Sequence, residues 1–138
     1  QLDANASGTV YAMIGLRLKP THIDTTINFI SKSLLATTAD DFEWSIIINP
    51  TIAGTFTYSD LANSAVQIAK GATENTVTGG TLLTGGWAAA RSESGDILLN
   101  SIRPGSAIDG TPDEFVLCVR PIGTQADIQG SLTWRELL

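Results

Sequence analysis

Residues 42–58, FEWSIIINPTIAGTFTY, decide the fold that the sequence predicts. Large apolar side chains occupy every second position of residues 42–48, which is the period of a β-strand. Ile47 makes the opposite face partly apolar, so this strand is expected in the centre of a sheet. Pro50 has no N–H to donate and ends the ladder, and residues 55–58 are predicted to return as a second short strand.

The same period recurs along the rest of the chain. Strands are predicted for residues 10–19, 25–36, 64–70, 81–87, 97–102, 115–121 and 126–135. In the first of them one face is expected to carry Val10, Ala12, Ile14, Leu16 and Leu18. The second is predicted to bulge near Phe29 and Ile30, and the strand at 81–87 to bend or bulge at Gly85 and Gly86.

Eight or nine strands at regular spacing predict an all-β, jelly-roll-like antiparallel β-sandwich. Residues 71–80 are predicted to be a flexible crossing, too long for a simple hairpin, which favours Greek-key or jelly-roll connections over a meander. Residues 88–96 are predicted to be a loop and residues 104–114 a long turn.

Length and charge limit the organisation and the partners. A chain of 138 residues is expected to form one domain over residues 9–138, preceded by a linker or arm at residues 1–8. Only 16% of the residues are charged, and the formal net charge is −6. Nucleic acids and anionic membranes bind basic protein surfaces. An acidic chain lacks such a surface, so neither is an expected partner.

The sequence nominates no catalytic centre, so we expect a non-enzyme. His22, the one histidine, is predicted to be an exposed turn residue, and Cys118, the one cysteine, a small buried side chain in a strand. Zinc requires clusters of Cys and His, and the acidic loop residues have no EF-hand spacing. No metal or other cofactor is therefore expected.

The loops offer the candidate contact residues. Trp44 and Trp134 alternate with polar residues on strands and are predicted to lie in the core, whereas Trp87 is the candidate for a partly exposed ring. Loops of β-domains often carry function, although solvated connections are the simpler interpretation of these. The candidate ligand or partner contacts are Trp87, Arg91, Asp109 and Asp113.

Four stretches together resemble the C-terminal β-domain of tailed-bacteriophage virion structural proteins of the decoration, fibre or tail type. They are YAMIGLRLKPTHIDTTI (residues 11–27), DDFEWSIIINPTIAGTFTYSDLANSAVQ (40–67), GGTLLTGGW (79–87) and GTPDEFVLCVRPIGTQADIQGSLTWREL (110–137). The resemblance implies a structural module in the virion, with no catalytic residues, that decorates the particle and contacts other virion proteins.

Virion accessory proteins are commonly symmetric oligomers, so a homotrimer is expected. The alternative is a domain that binds a host receptor or surface glycan through its end loops. An exposed aromatic ring in a concave groove would favour the binding domain, and a flat self-complementary surface would favour the structural module.

Overall fold

The computed structural model describes residues 2–37, 41–88, 92–99, 112–123 and 125–137, with residues 92–99 described by their backbone. These residues form twelve strands and no helix. The strands are β1 (Leu2–Ala4), β2 (Tyr11–Leu18), β3 (Thr26–Ala36), β4 (Phe42–Ile48), β5 (Thr51–Ile52), β6 (Ser59–Asp60), β7 (Val66–Lys70), β8 (Val77–Thr78), β9 (Thr81–Ala88), β10 (Ser92–Leu99), β11 (Phe115–Pro121) and β12 (Ala126–Leu137).

Two antiparallel sheets form the sandwich. The four-stranded sheet has the order β1-β12-β3-β10, and the six-stranded sheet has the order β6-β7-β2-β11-β4-β9. A two-stranded ribbon of β5 and β8 is separate from both. The prediction of an all-β sandwich is confirmed.

The strand pairings show how the sandwich is built. β1 pairs with β12, β2 with β11, β3 with β10, β4 with β9, β5 with β8 and β6 with β7, all antiparallel. The described chain is therefore one long hairpin whose tip lies between β6 and β7. Further pairings of β4 with β11, β3 with β12 and β2 with β7 roll this hairpin up. A rolled hairpin of this kind is a jelly roll.

The core lies between the two sheets. β4 buries Phe42, Trp44 and Ile46, as its alternation predicts, and β4 lies between β11 and β9. Ile47 faces the other side of the six-stranded sheet, where it packs with Val116 and Cys118 in a second, smaller cluster. Eight of the twelve strands have five residues or more, in agreement with the eight or nine strands that the sequence predicts. The other four strands are shorter.

The predicted strand at residues 55–58 is wrong, because this segment forms no ladder. Its aromatic side chains instead lie over β2 at Gly15, where a Cβ atom would be 2.5 Å from the hydroxyl of Tyr58 and 2.7 Å from the ring of Phe56. The two rings meet edge to face, with 5.5 Å between their centroids. Side-chain packing on a glycine thus replaces the expected backbone pairing.

Bulges account for two further corrections. In β2 the register with β11 shifts so that Leu117 lies opposite Ile14 and Cys118 opposite Ala12. This bulge turns Met13 and Tyr11 into the core, so the strict alternation predicted for the strand is wrong in its first half. In β9 the shift occurs at Leu83, whereas Gly85 and Gly86 keep their register with β4.

The bulge predicted near Phe29 and Ile30 is confirmed, since Thr133 lies opposite Ser31 and Trp134 opposite Phe29. Ile30 is the extra residue and is exposed.

Two predicted connections belong to sheets instead. Residues 92–96, assigned to a loop, form β10 together with the start of the strand predicted at 97–102, because β10 pairs with β3. Within the predicted linker or arm, Leu2 and Ala4 are buried and β1 pairs with β12. Residues 104–111 of the long turn lie outside the described residues.

The segment predicted as a flexible crossing, residues 71–80, is fixed to the sheet by Asn75. This side chain is fully buried, and its Nδ2 donates to the carbonyl oxygens of Ala53 and Thr55 at 2.9 and 3.0 Å. Its Oδ1 accepts a hydrogen bond from the backbone N–H of Ala72 at 2.8 Å. The two segments that cover the six-stranded sheet are thus held together.

Candidate functional site

Trp87 lies on β9, the edge strand of the six-stranded sheet, and 66% of its surface is exposed. It is opposite Glu43 on β4, which in turn is opposite Arg120 on β11. These three residues, which we call the Trp87 row, cross three neighbouring strands on the outer face of the sheet. The three residues are distant in sequence, and the register of the sheet brings them side by side.

The charged members of the Trp87 row pair with each other. Arg120 Nη2 lies 2.7 Å from Glu43 Oε2, and each side chain is about one-third exposed. The Arg120 guanidinium carbon is 5.8 Å from the centre of the Trp87 indole, within the range of a cation–π contact. A partly exposed ion pair adds little to stability, so its main effect is to orient a cation and an anion beside an apolar ring.

A second apolar side chain lies on the same strand and face. Leu82 is opposite Ile47 and, like Trp87, is 66% exposed. Between them Gly85 has no side chain, and its partner Ser45 is small and buried. The outer face of β9 is therefore flat and apolar at both ends. Neither Trp87 nor Leu82 lines one of the main cavities among the described residues.

Asp113 lies at the other end of the same sheet. Its carboxylate accepts a hydrogen bond from Asn49 Nδ2 at 2.9 Å, and Asn49 Oδ1 accepts one from the backbone N–H of Glu114 at 2.8 Å. Asn49 has a φ of 51°, a conformation that asparagine tolerates better than most residues. Asp113 thus helps to fasten the end of β4 to the start of β11.

The predicted contact residues therefore do not form one site. Trp87 is level with the start of β4 and Asp113 with its end, which is a separation of about 20 Å along the strand. Arg91 and Asp109 lie outside the described residues. The partners that matter for Trp87, namely Glu43 and Arg120, carried no signal in the sequence, because only sheet register places them beside it.

A third polar cluster lies beside β2. Arg17 contacts Glu114 at 3.4 Å and Gln67 at 2.8 Å, and its guanidinium carbon is 4.2 Å from the centre of the Tyr58 ring. The Tyr58 hydroxyl is buried and has no hydrogen-bond partner among the described residues. Burial, followed by the charge of Glu114, raises the pKa of this phenol above its ordinary value. The cluster covers the aromatic rings that pack on Gly15.

The remaining candidates for chemistry have structural positions. His22 is exposed in a turn, with Nδ1 2.9 Å from the hydroxyl of Thr21, as predicted. Cys118 is fully buried, as predicted, and burial raises its pKa to about 12. Among the described residues, no group of three or more His, Cys, Asp or Glu side chains is placed to hold a metal ion. That part of the chain also has no helix long and apolar enough to cross a membrane.

Of the other two tryptophans, Trp44 lies in the core as the sequence predicts, whereas Trp134 reaches only its edge. Trp44 is buried in the core, and the ammonium group of Lys32 is 4.0 Å from the centre of its ring. Trp134 is half-buried and packs against the edge of the core. Trp87 is therefore the exposed ring among the three.

A scan against protein-family models and searches of curated proteins and of solved structures found no match to this chain. The resemblance to phage virion proteins thus stays a prediction.

Proposed function

We propose that this chain is a non-enzymatic structural module of a tailed-bacteriophage particle, which assembles as a homotrimer and decorates the head, fibre, tail or baseplate. The observation that carries the assembly role is the exposure of Trp87 and Leu82 on the flat outer face of β9. The phage assignment rests on the sequence resemblance.

Exposed apolar side chains on an edge strand favour association. Unpaired edges and large apolar side chains promote contact with other chains, and monomers usually protect them with charges. Tryptophan and arginine are also the residues that most often dominate the affinity of protein interfaces. The Trp87 row brings one of each together, with Glu43 able to pair with a cation on a neighbouring copy.

The overall charge supports packing among copies. With 16% charged residues, the surface has few ionic groups to desolvate when it meets another copy. A flat sheet face is also compatible with the roughly 800 Å² that each partner buries in a standard interface.

The test is the molar mass of the protein by light scattering after size exclusion, across a dilution series. We expect a trimer. We expect Trp87→Ser to raise the protein concentration at which half of the trimer has dissociated by at least about tenfold, because an interface tryptophan contributes about 1.4 kcal/mol or more to the free energy of association. The matched control is Leu35→Ser, which removes an exposed apolar side chain (46% exposed) from the four-stranded sheet and should leave the mass unchanged.

A monomer at every concentration would contradict the self-assembling module. Equal dissociation of the Leu35→Ser and Trp87→Ser proteins would also contradict the assignment of the interface to the Trp87 row.

The second candidate function is binding of a host surface glycan, favoured by the chemistry of the same row. An exposed indole can stack on a sugar ring, and the adjacent guanidinium and carboxylate can hydrogen-bond to its hydroxyl groups. Glycan-array binding that disappears in the Trp87→Ala protein, together with a monomeric mass, would favour this function over assembly.

A further inference from the structure

A short segment crosses the outer face of the six-stranded sheet between β5 and β6. We call residues 56–58 of this segment the strap. Within the described part of the chain, the backbone N–H and C=O groups of the strap make no hydrogen bond. β2 beneath the strap, by contrast, pairs with β11 on one side and with β7 on the other. The strap is therefore held to the sheet by its side chains.

The surface under the strap is apolar. Gly15 on β2 is opposite Val116 on β11 and Ala69 on β7, and all three residues are buried. Gly15 has no side chain, which leaves the space that the strap fills. Phe56 of the strap also packs against the smaller apolar cluster, which includes Val116 and Cys118. The strap thus separates an apolar part of the sheet from water.

The closed position of the strap leaves one polar group unpaired. The Tyr58 hydroxyl lies against Gly15, where it is buried and has no hydrogen-bond partner among the described residues. A buried hydroxyl without a partner has lost its hydrogen bonds to water, and this loss opposes closure. The packing of Tyr58 against Phe56 favours closure. Because the two effects oppose each other, the closed strap is less stable than its ring contacts alone suggest.

Both ends of the strap are anchored. On one side the carbonyl oxygen of Thr55 accepts a hydrogen bond from Asn75 Nδ2 at 3.0 Å. On the other side Ser59 begins β6 and is opposite Ile68 on β7. The three residues between these anchors can move without breaking a ladder. Arg17, whose guanidinium carbon is 4.2 Å from the centre of the Tyr58 ring, holds the strap from the solvent side.

We propose that the strap opens and closes about its two anchored ends while both sheets stay folded. Opening lifts the rings of Phe56 and Tyr58 off Gly15, returns the buried hydroxyl to water and uncovers Cys118 in the apolar cluster beneath. Segments with few backbone hydrogen bonds open locally at a lower free energy than the strands around them. The strap is thus a conformational device built into the outer face of the six-stranded sheet.

The inference does not rest on the proposed assembly. The strap lies over β2, whereas the Trp87 row crosses β11, β4 and β9. Val116, beside Gly15, and Arg120 of the Trp87 row are four residues apart on β11, which is about 13 Å along the strand. A monomeric protein would therefore leave the strap and its test unchanged.

The test is the rate at which Cys118 of the intact protein reacts with dithiodipyridine, a disulfide reagent, at neutral pH and increasing urea concentration. In the closed state the thiol is fully buried and burial raises its pKa to about 12, so the reaction reports opening. Below the unfolding transition we expect labelling to be faster than global unfolding allows. We also expect the rate to change little with urea, because opening of the strap exposes little surface.

Two substitutions should shift the strap in opposite directions. Tyr58→Phe removes the unpaired hydroxyl and should slow labelling by at least about fivefold. Gly15→Ala places a Cβ atom 2.5 Å from that hydroxyl and 2.7 Å from the Phe56 ring, so it should speed labelling by at least about tenfold. The control is Ile128→Val, which removes a methyl group from the core under the four-stranded sheet and should leave labelling at low urea unchanged. If Gly15→Ala fails to fold, Tyr58→Phe still tests the proposal.

Two results would overturn the proposal. One is labelling of the unaltered protein that rises steeply with urea from the lowest concentrations, since Cys118 would then react only after global unfolding. The other is a Tyr58→Phe protein that is labelled as fast as the unaltered protein or faster, which would mean that the buried hydroxyl does not oppose closure of the strap.

Discussion

At the scale of single residues, Asn75 is the polar side chain on which the cover of the six-stranded sheet depends. It is fully buried, and its amide makes three hydrogen bonds to backbone groups of two separate segments. The backbone C=O of Asn75 also accepts a hydrogen bond from the N–H of Ala12 on β2 at 2.9 Å. A buried amide of this kind is stabilising only while all of its partners are present.

We predict that Asn75→Ala lowers the free energy of unfolding by about 3 kcal/mol. The change removes three hydrogen bonds made by a fully buried side chain, and each contributes about 0.5–1.5 kcal/mol to stability. Chemical denaturation followed by fluorescence measures the change. The control is Asn5→Ala, an exposed asparagine, for which about 0.5 kcal/mol or less is expected. Equal effects of the two substitutions would contradict this role of Asn75.

At the scale of the strands, Glu136 connects the end of β12 to the start of β7. Its carboxylate accepts hydrogen bonds from Ser64, from the N–H of Ala65 and from Trp134 Nε1. Burial alone raises the pKa of Glu136, but these hydrogen bonds and the charge of Lys19 outweigh it, so the pKa lies below the ordinary value. The ionised form therefore stabilises the contact between the two sheets.

The lowered pKa predicts a pH-dependent contribution to stability. A carboxylate with a lowered pKa in the folded state stabilises the protein above its unfolded pKa of about 4.3, and this contribution is lost as the pH falls through the folded pKa. We expect Glu136→Gln to be less stable than the unaltered protein at pH 7, with the difference shrinking below about pH 4. Urea unfolding at a series of pH values tests this.

The control for Glu136 is Glu74→Gln, an exposed glutamate whose carboxylate has no comparable set of hydrogen bonds within the described part of the chain. This substitution should change the free energy of unfolding by about 0.5 kcal/mol or less. A difference between the Glu136→Gln and unaltered proteins that stays constant from pH 7 to pH 3 would contradict the prediction.

At the scale of the whole molecule, the fold is a hairpin closed from its tip to its ends. β6 and β7 are near neighbours in the chain, whereas β1 and β12 are joined across almost its full length. Closing long loops costs more entropy than closing short ones, so the tip is expected to form before the ends.

Two matched substitutions test this order. Ile68 lies in β7 near the tip and Ile128 in β12 beside β1. Both changes to valine remove one methyl group and should cost about 0.5–1.5 kcal/mol. We expect Ile68→Val mainly to slow folding and Ile128→Val mainly to speed unfolding, as measured by stopped-flow fluorescence. A larger effect of Ile128→Val on the folding rate would show that the ends meet first.

The sequence by itself determined the main strands and their buried faces. β4, β11 and the first part of β12 follow from alternating or continuous apolar residues, because side-chain period is a local property of the chain. The core positions of Trp44 and Cys118 follow from the same pattern. These local patterns were also enough to predict the all-β class and the approximate number of long strands.

Only the tertiary structure decided which strands pair, where their registers shift and which side chains meet. The bulges at Met13 and Leu83, the packing of residues 55–58 on Gly15 and the strand at residues 92–99 all depend on neighbours far away in the chain. The Trp87 row has the same origin. Glu43 and Arg120 are 77 residues apart, and no local pattern encodes a contact that long-range strand pairing creates.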